Sequence, residues 1–157
     1  MTSSPRGVAE GFAAAWNAAD PVALAALFVE DADFVNVVGL WWTTREQIRD
    51  NHAYGFRHMF PDTVMVLDRV MVRELGDDVA VVHASWTMNG QITPTGERAG
   101  TRRGVISFTT VRQQSGRWLA VSAQNTDAVP GMQTHVATSE GLAPETYAPR
   151  TRPKPGP

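Results

Sequence analysis

Apolar residues recur at helical spacing from the start of the chain: Val8, Phe12, Ala15, Trp16 and Ala19 fall on one stripe. Ser4-Pro5 offers a capping hydroxyl and a first-turn proline, so the pattern predicts a helix from about Pro5 to Ala19. Asp20-Pro21 repeats the signal, and Val22, Leu24, Ala25, Leu27 and Phe28 predict a short second helix. The run Asp31 to Gly39 is short, β-branched and ended by glycine; it reads as a strand that puts Phe34 and Asn36 on one face. After Trp41-Trp42, the sequence Thr44-Arg45-Glu46-Gln47 forms a capping-box pattern, and Ile48, His52, Phe56 and Met59 then recur on one side of a third helix until Pro61 ends it. His52 thus rides on an apolar stripe.

The second half alternates with period two. Val64 to Leu75 and Val79 to Asn89 flank Gly76-Asp77-Asp78 and predict an antiparallel hairpin. A connection with the turn sequence Thr93-Pro94-Thr95-Gly96 leads to strands over Thr101 to Val111 and Arg117 to Thr126, joined at Ser115-Gly116. Helix, helix, strand, helix and then successive antiparallel strands is not the alternation of a parallel α/β fold; it fits an α+β domain with helices on one face of a bent sheet. From Pro130 onward Gly, Pro and Thr accumulate without periodicity. The division is therefore one domain over 1–130 and an extended or partly disordered tail over 131–157, including Arg150 to Pro157.

Composition removes several alternatives. The length of 157 residues suits one domain with its own core, and 43% hydrophobic with 19% charged residues is the balance of a folded chain. With no cysteine, disulfides, thiol nucleophiles and thiolate metal sites are excluded. A formal charge of −2 argues against a broad nucleic-acid surface. The N-terminus has no signal-like apolar core and no apolar run is long enough to span a bilayer, so a cytoplasmic protein without membrane contact is expected. Glycine-rich dinucleotide and phosphate loops and the H-E-x-x-H pattern are all missing, and His52 and His58 lie too far apart around the helix to pair on a metal. No cofactor or metal is inferred.

Trp16-Asn17, Asp20, Leu27-Phe28, Asp31-Ala32-Asp33-Phe34, Gly39 and the helix carrying Ile48 and His52 occur in an order that resembles the nuclear transport factor 2-like superfamily. Within it, Phe34-Val35-Asn36-Val37-Val38-Gly39, His52 and Ala123-Gln124-Asn125-Thr126 are most similar to SnoaL-like proteins of the SgcJ/EcaC type, several of which accompany bacterial polyketide pathways, enediyne pathways included. The resemblance covers roughly residues 5–130, with Thr43-Thr44-Arg45 standing where many relatives have Gly-Arg. It implies a cone-shaped, strongly curved, mostly antiparallel sheet packed by three N-terminal helices around a pocket, and a homodimer. It does not choose the chemistry, because the superfamily holds isomerases, dehydratases, cyclases and non-catalytic binders.

The residues narrow the choice. His52, buried on its stripe, would be neutral and able to act as a base, or it is an ordinary core histidine. Asn36 and Asn125 can donate to a carbonyl or enol oxygen without bringing charge; Asn125 follows Leu119, Val121 and Ala123 at period two, which predicts an inward direction. Local turn or edge hydrogen bonding is the competing reading of both. Asp33 and Asp127, at strand boundaries, read as solvated carboxylates. Trp16, Phe34, Trp41, Trp42, Phe56, Trp86 and Met88 can wall a pocket for an unsaturated ligand, or simply fill a core. Trp86 shares a face with Ala80, Val82, Ala84 and Met88, whereas His83 alternates to a second surface. Arg102-Arg103 can meet an acidic ligand or a carrier-protein partner, but at most one of them can enter the cavity, and a solvated or interface role is the stronger expectation; Gly104 suggests a bulge. Together these predict a cofactor-independent isomerase, cyclase or dehydratase acting on a hydrophobic polyketide-like molecule, with His52, Asn36 and Asn125 as its catalytic candidates. The main alternative is a binding protein or pathway chaperone with the same pocket, and a third reading is a dimeric scaffold whose pocket has no ligand.

Overall fold

Each helix starts at its expected cap. The computed structural model describes residues 2–147, so the expected disorder over Arg150 to Pro157 lies outside the described residues. Helix α1 (Pro5–Asn17) begins after Ser4, whose hydroxyl accepts from the Gly7 amide, and α2 (Pro21–Ala25) after Asp20, whose carboxylate accepts from the Val22 and Ala23 amides. The Thr44 hydroxyl accepts from the Gln47 amide at the head of α3 (Arg45–His58). The reciprocal half of the box is shifted by one residue, because the Gln47 side chain accepts from the Thr43 amide instead.

The second helix is shorter than expected. It stops at Ala25, and Phe28 opens strand β1 (Phe28–Val35), which replaces the expected Asp31 to Gly39. The reason is non-local: β1 lies parallel to β6 (Trp118–Asp127), with Phe28 opposite Ala120 and Phe34 opposite Ala123. The short β2 (Trp41–Trp42) pairs with the end of β1. Strands β3 (Val64–Glu74), β4 (Val79–Asn89), β5 (Arg102–Arg112) and β6 form an antiparallel meander, giving one six-stranded sheet in the order β2-β1-β6-β5-β4-β3. The segment expected to be an extended tail forms a separate hairpin, β7 (Thr134–Thr138) with β8 (Gly141–Glu145).

Helix α1 packs across β3 to β6, burying Val8, Phe12, Ala15 and Trp16 against Ala80, Val82 and Ala84 of β4 and Ile106 and Phe108 of β5. Removing each large side chain from water stabilises the fold by about 1.5–3 kcal/mol. Asn17 fixes where the helix ends: its side-chain amide donates to the Met65 carbonyl at 2.9 Å and accepts from the Met65 amide at 2.7 Å, as a neighbouring strand would.

Two bulges change which residues point inward. Asp68 is the extra residue of β3, so Met65 and Leu67 face in, and then Val70 and Val72. Val121 is the extra residue opposite Thr109 and Thr110, so the inward face of β6 runs Trp118, Ala120, Ala123, Asn125. The expected Leu119-Val121-Ala123-Asn125 stripe is therefore broken in the middle, and Asn125 reaches the inner face only because the bulge resets the phase. Gly104 is not a bulge: its pairing with Trp86 and Asp127 is regular.

Candidate functional site

Beyond the end of α1 the sheet continues under α3, and the space between them is open. This chamber has a volume of about 440 Å³, within the range of small-molecule sites. Trp16 of α1, Phe34 and Trp42 of β1 and β2, Phe56 of α3, and Trp86 and Met88 of β4 form its apolar walls. Six of the seven aromatic and methionine candidates thus come together. Trp41 does not: it is 67% exposed, and its indole N–H donates to Asp33, which occupies that carboxylate on the outside. Neighbours on a strand point to opposite faces, so of the two tryptophans only Trp42 turns inward.

His52 lies on the chamber wall, only 8% exposed. Its Nδ1 is 2.7 Å from the Ile48 carbonyl one turn earlier; a carbonyl can only accept, so Nδ1 carries the proton and Nε2 keeps its lone pair. Nε2 has no partner among the described residues, yet it is not sealed, since the one fully occluded side-chain nitrogen or oxygen there lacking a partner is Nε of Arg117. The rings of Phe12, Phe34 and Trp42 meet the imidazole edge-on with centroids 5.2–5.8 Å away, which fixes its orientation. Burial lowers its pKa from the ordinary 6.5 to about 4, opposed in part by the Ile48 carbonyl. The ring is neutral at physiological pH.

Asn125 also lines the chamber, oriented by Trp86, whose indole N–H donates to Asn125 Oδ1 at 2.9 Å. The amide oxygen is thereby occupied and the NH2 group is left as a donor. Gly104 makes this possible. A Cβ there would overlap the Trp86 ring and the Thr126 carbonyl, so only glycine lets the indole cross β5 to reach β6.

Asn36 lines the chamber mouth but is engaged locally: its Oδ1 accepts from the Val38 and Leu40 amides at 3.0 and 2.9 Å, closing the turn between β1 and β2. Only its NH2 group is left for a ligand. The Asn at the start of the turn and Gly39 (φ 85°) three residues on were the signal for this.

Arg102 is the residue that sequence reasoning placed elsewhere. It lines the chamber instead of lying in solvent, held by Asp127 and by Gln91: Nη2 donates to both Asp127 oxygens at 2.8 Å and Nη1 to Gln91 Oε1 at 2.9 Å. Arg103 is exposed, and His83 lies on the outer face with its Nδ1 2.6 Å from Ser107 Oγ. Among the described residues no cluster of three or more His, Asp or Glu could hold a metal, and no helix is long and apolar enough to cross a membrane.

Residues 9–121 match the SnoaL-like domain, and the chain belongs to that family. Its fold is shared with proteins of the nuclear transport factor 2-like superfamily. A protein with a cystatin-like fold from Caulobacter vibrioides is similar at 25% identity and TM-score 0.71, over 78% of this chain and 86% of that one. A protein provisionally described as a scytalone dehydratase from Novosphingobium aromaticivorans gives 20% and 0.67, over 78% and 80%. A ketosteroid isomerase-like protein from Erwinia carotovora atroseptica gives 15% and 0.65, over 78% and 92%. No curated protein matches the chain.

Proposed function

We propose that the chamber binds a hydrophobic, oxygenated, polyketide-like molecule and moves a proton on it without a cofactor, in an isomerisation, cyclisation or dehydration. The observation that carries this reading is the buried His52, whose Nδ1 is committed to the Ile48 carbonyl, whose Nε2 has no partner among the described residues, and which lines a cavity walled by aromatic rings. Nε2 takes a proton from carbon while the Asn125 NH2 group donates to the oxygen on which charge develops; a weak base suffices where that charge is stabilised in a dry site. Trp16, Phe34 and Trp42 hold the substrate near the reactive geometry. The dehydratase and ketosteroid isomerase-like descriptions of two fold relatives support this class of chemistry. We further infer a cytoplasmic, homodimeric protein of the SgcJ/EcaC type, serving enediyne or related natural-product biosynthesis; the SnoaL-like membership supports the type and the apolar chamber the hydrophobic substrate.

The test is proton exchange. With 2-tetralone in deuterated water, NMR is expected to show α-proton exchange accelerated by the protein, and His52→Gln to lower the rate by about 100-fold while 2-tetralone still binds. The rate falls only as the pH drops toward 4, where the imidazole charges. Binding of 2-tetralone with no acceleration by the unaltered protein would replace catalysis with the binding-protein reading.

A further inference from the structure

The chamber has a second polar pole. The Trp86–Asn125 pair marks one region, with Asn125 opposite Ile106, while Arg102 sits four residues farther along the same face of β5, beyond Gly104. Alternation puts Arg102, Gly104 and Ile106 on the inner face; they pair with Met88, Trp86 and Ala84 of β4, all buried. Trp86 fills the place above Gly104, so Arg102 and Asn125 are separated by an indole and do not serve the same ligand atom.

Arg102 is oriented as well as placed. Asp127 and Gln91 together take two of its five N–H donors, one Nη2 hydrogen being shared between the two carboxylate oxygens. The Nε–H and one hydrogen each of Nη1 and Nη2 have no acceptor among the described residues, and the side chain is 26% exposed. A guanidinium held from two sides has lost its rotamer freedom before a ligand arrives, so recognition costs little further ordering. Charge sets what it takes. Asp127 is Arg102's ion-pair partner, so the pair is neutral as a unit and suits a carbonyl or hydroxyl oxygen better than a carboxylate, which would sit close to Asp127 as well.

We propose that Arg102, positioned by Asp127 and Gln91, is a specificity determinant that binds a neutral ligand oxygen at the end of the molecule remote from Asn125. The substrate is then a two-ended, oxygenated ring system: one oxygen lies at the Asn125 end, where the proton moves, and a second uncharged oxygen at the Arg102 end. The proposal rests on the ligand-chamber reading above, but it does not depend on turnover.

Calorimetric titration with 2-acetylnaphthalene, 2-ethylnaphthalene and 2-naphthoate tests it. The unaltered protein is expected to bind the ketone about tenfold more tightly than its ethyl analogue, as one hydrogen bond to a charged donor allows, and to bind the carboxylate no better than the ethyl compound. Arg102→Met removes the preference for the ketone and leaves the ethyl compound's affinity unchanged. Asp127→Asn, which keeps the arginine and removes its counter-charge, shifts the preference toward 2-naphthoate and still decides the matter should Arg102→Met fold poorly. Equal binding of ketone and ethyl analogue by the unaltered protein, or an equal loss of both in Arg102→Met, overturns the role of Arg102 and leaves the chamber standing. Failure of all three probes to bind overturns both.

Discussion

The two halves of the inner sheet surface are equally apolar and differently used. Under α1, Phe12, Phe28, Val82 and Phe108 are essentially fully buried against one another, and the polar residue among them, Thr110, is satisfied by donating to the Ala80 carbonyl. Under α3, rings of the same kind pack in pairs, Phe34 on Trp42 and Trp16 on Phe56, yet together line about 440 Å³ of space, and the polar side chains each keep something in reserve: Nε2 of His52, the NH2 of Asn125, three N–H groups of Arg102. These atoms open onto the chamber and are free to meet water or a ligand, whereas Thr110 has nothing left to offer. The difference teaches that the site is recognised by which polar atoms are left over, because apolar lining alone does not separate a core from a chamber.

Truncation on each side sharpens that contrast most. Phe12→Ala, in the filled half, is expected to cost about 3–5 kcal/mol in urea unfolding, because the hole left there has no way to collapse. Trp42→Ala, on the open wall, is expected to cost less than half as much while weakening 2-acetylnaphthalene binding; equal costs would mean that the two halves do not differ in packing. Next comes acidification. The unfolded state takes up a proton on histidine near pH 6.5 and the native state only near pH 4, so stability is level above pH 6.5, declines by about 3 kcal/mol on the way to pH 4, and is level again below. Denaturant midpoints across this range, compared with those of His52→Phe, isolate that share; an undiminished decline in the variant would assign it to other groups. Last is Gly104→Ala, at about 1–3 kcal/mol from overpacking, whose diagnostic sign is a shift in tryptophan emission as the indole of Trp86 leaves Asn125.

Local chemistry was readable in the chain. Ser4, Asp20 and Thr44 announce their helices because a capping oxygen acts within three residues of itself, and the Ala80-Val82-Ala84-Trp86-Met88 face follows from the pleat alone. His52 on the stripe with Ile48 and Phe56 was legible for the same reason. What escaped depends on partners distant in sequence. The bulges at Asp68 and Val121 reset a period-two pattern without leaving a glycine or proline to mark them, and β1 begins at Phe28 because Ala120 waits opposite it. Arg102 looked like a surface residue until Asp127 and Gln91, from two other segments, gave its charge and its donors somewhere to go.

The parallel seam between β1 and β6 bears on how the molecule assembles. Strands β3 to β6 follow one another and can zip up through neighbouring turns, but β1 must await a companion supplied by the far end of the domain. Since β1 carries Phe34 and leads into Trp42 and α3, the cavity wall closes late, after the meander exists to receive it. A chain stalled before Asp127 would hold its greasy aromatic segments without a roof, the stage at which it most needs protection from its neighbours.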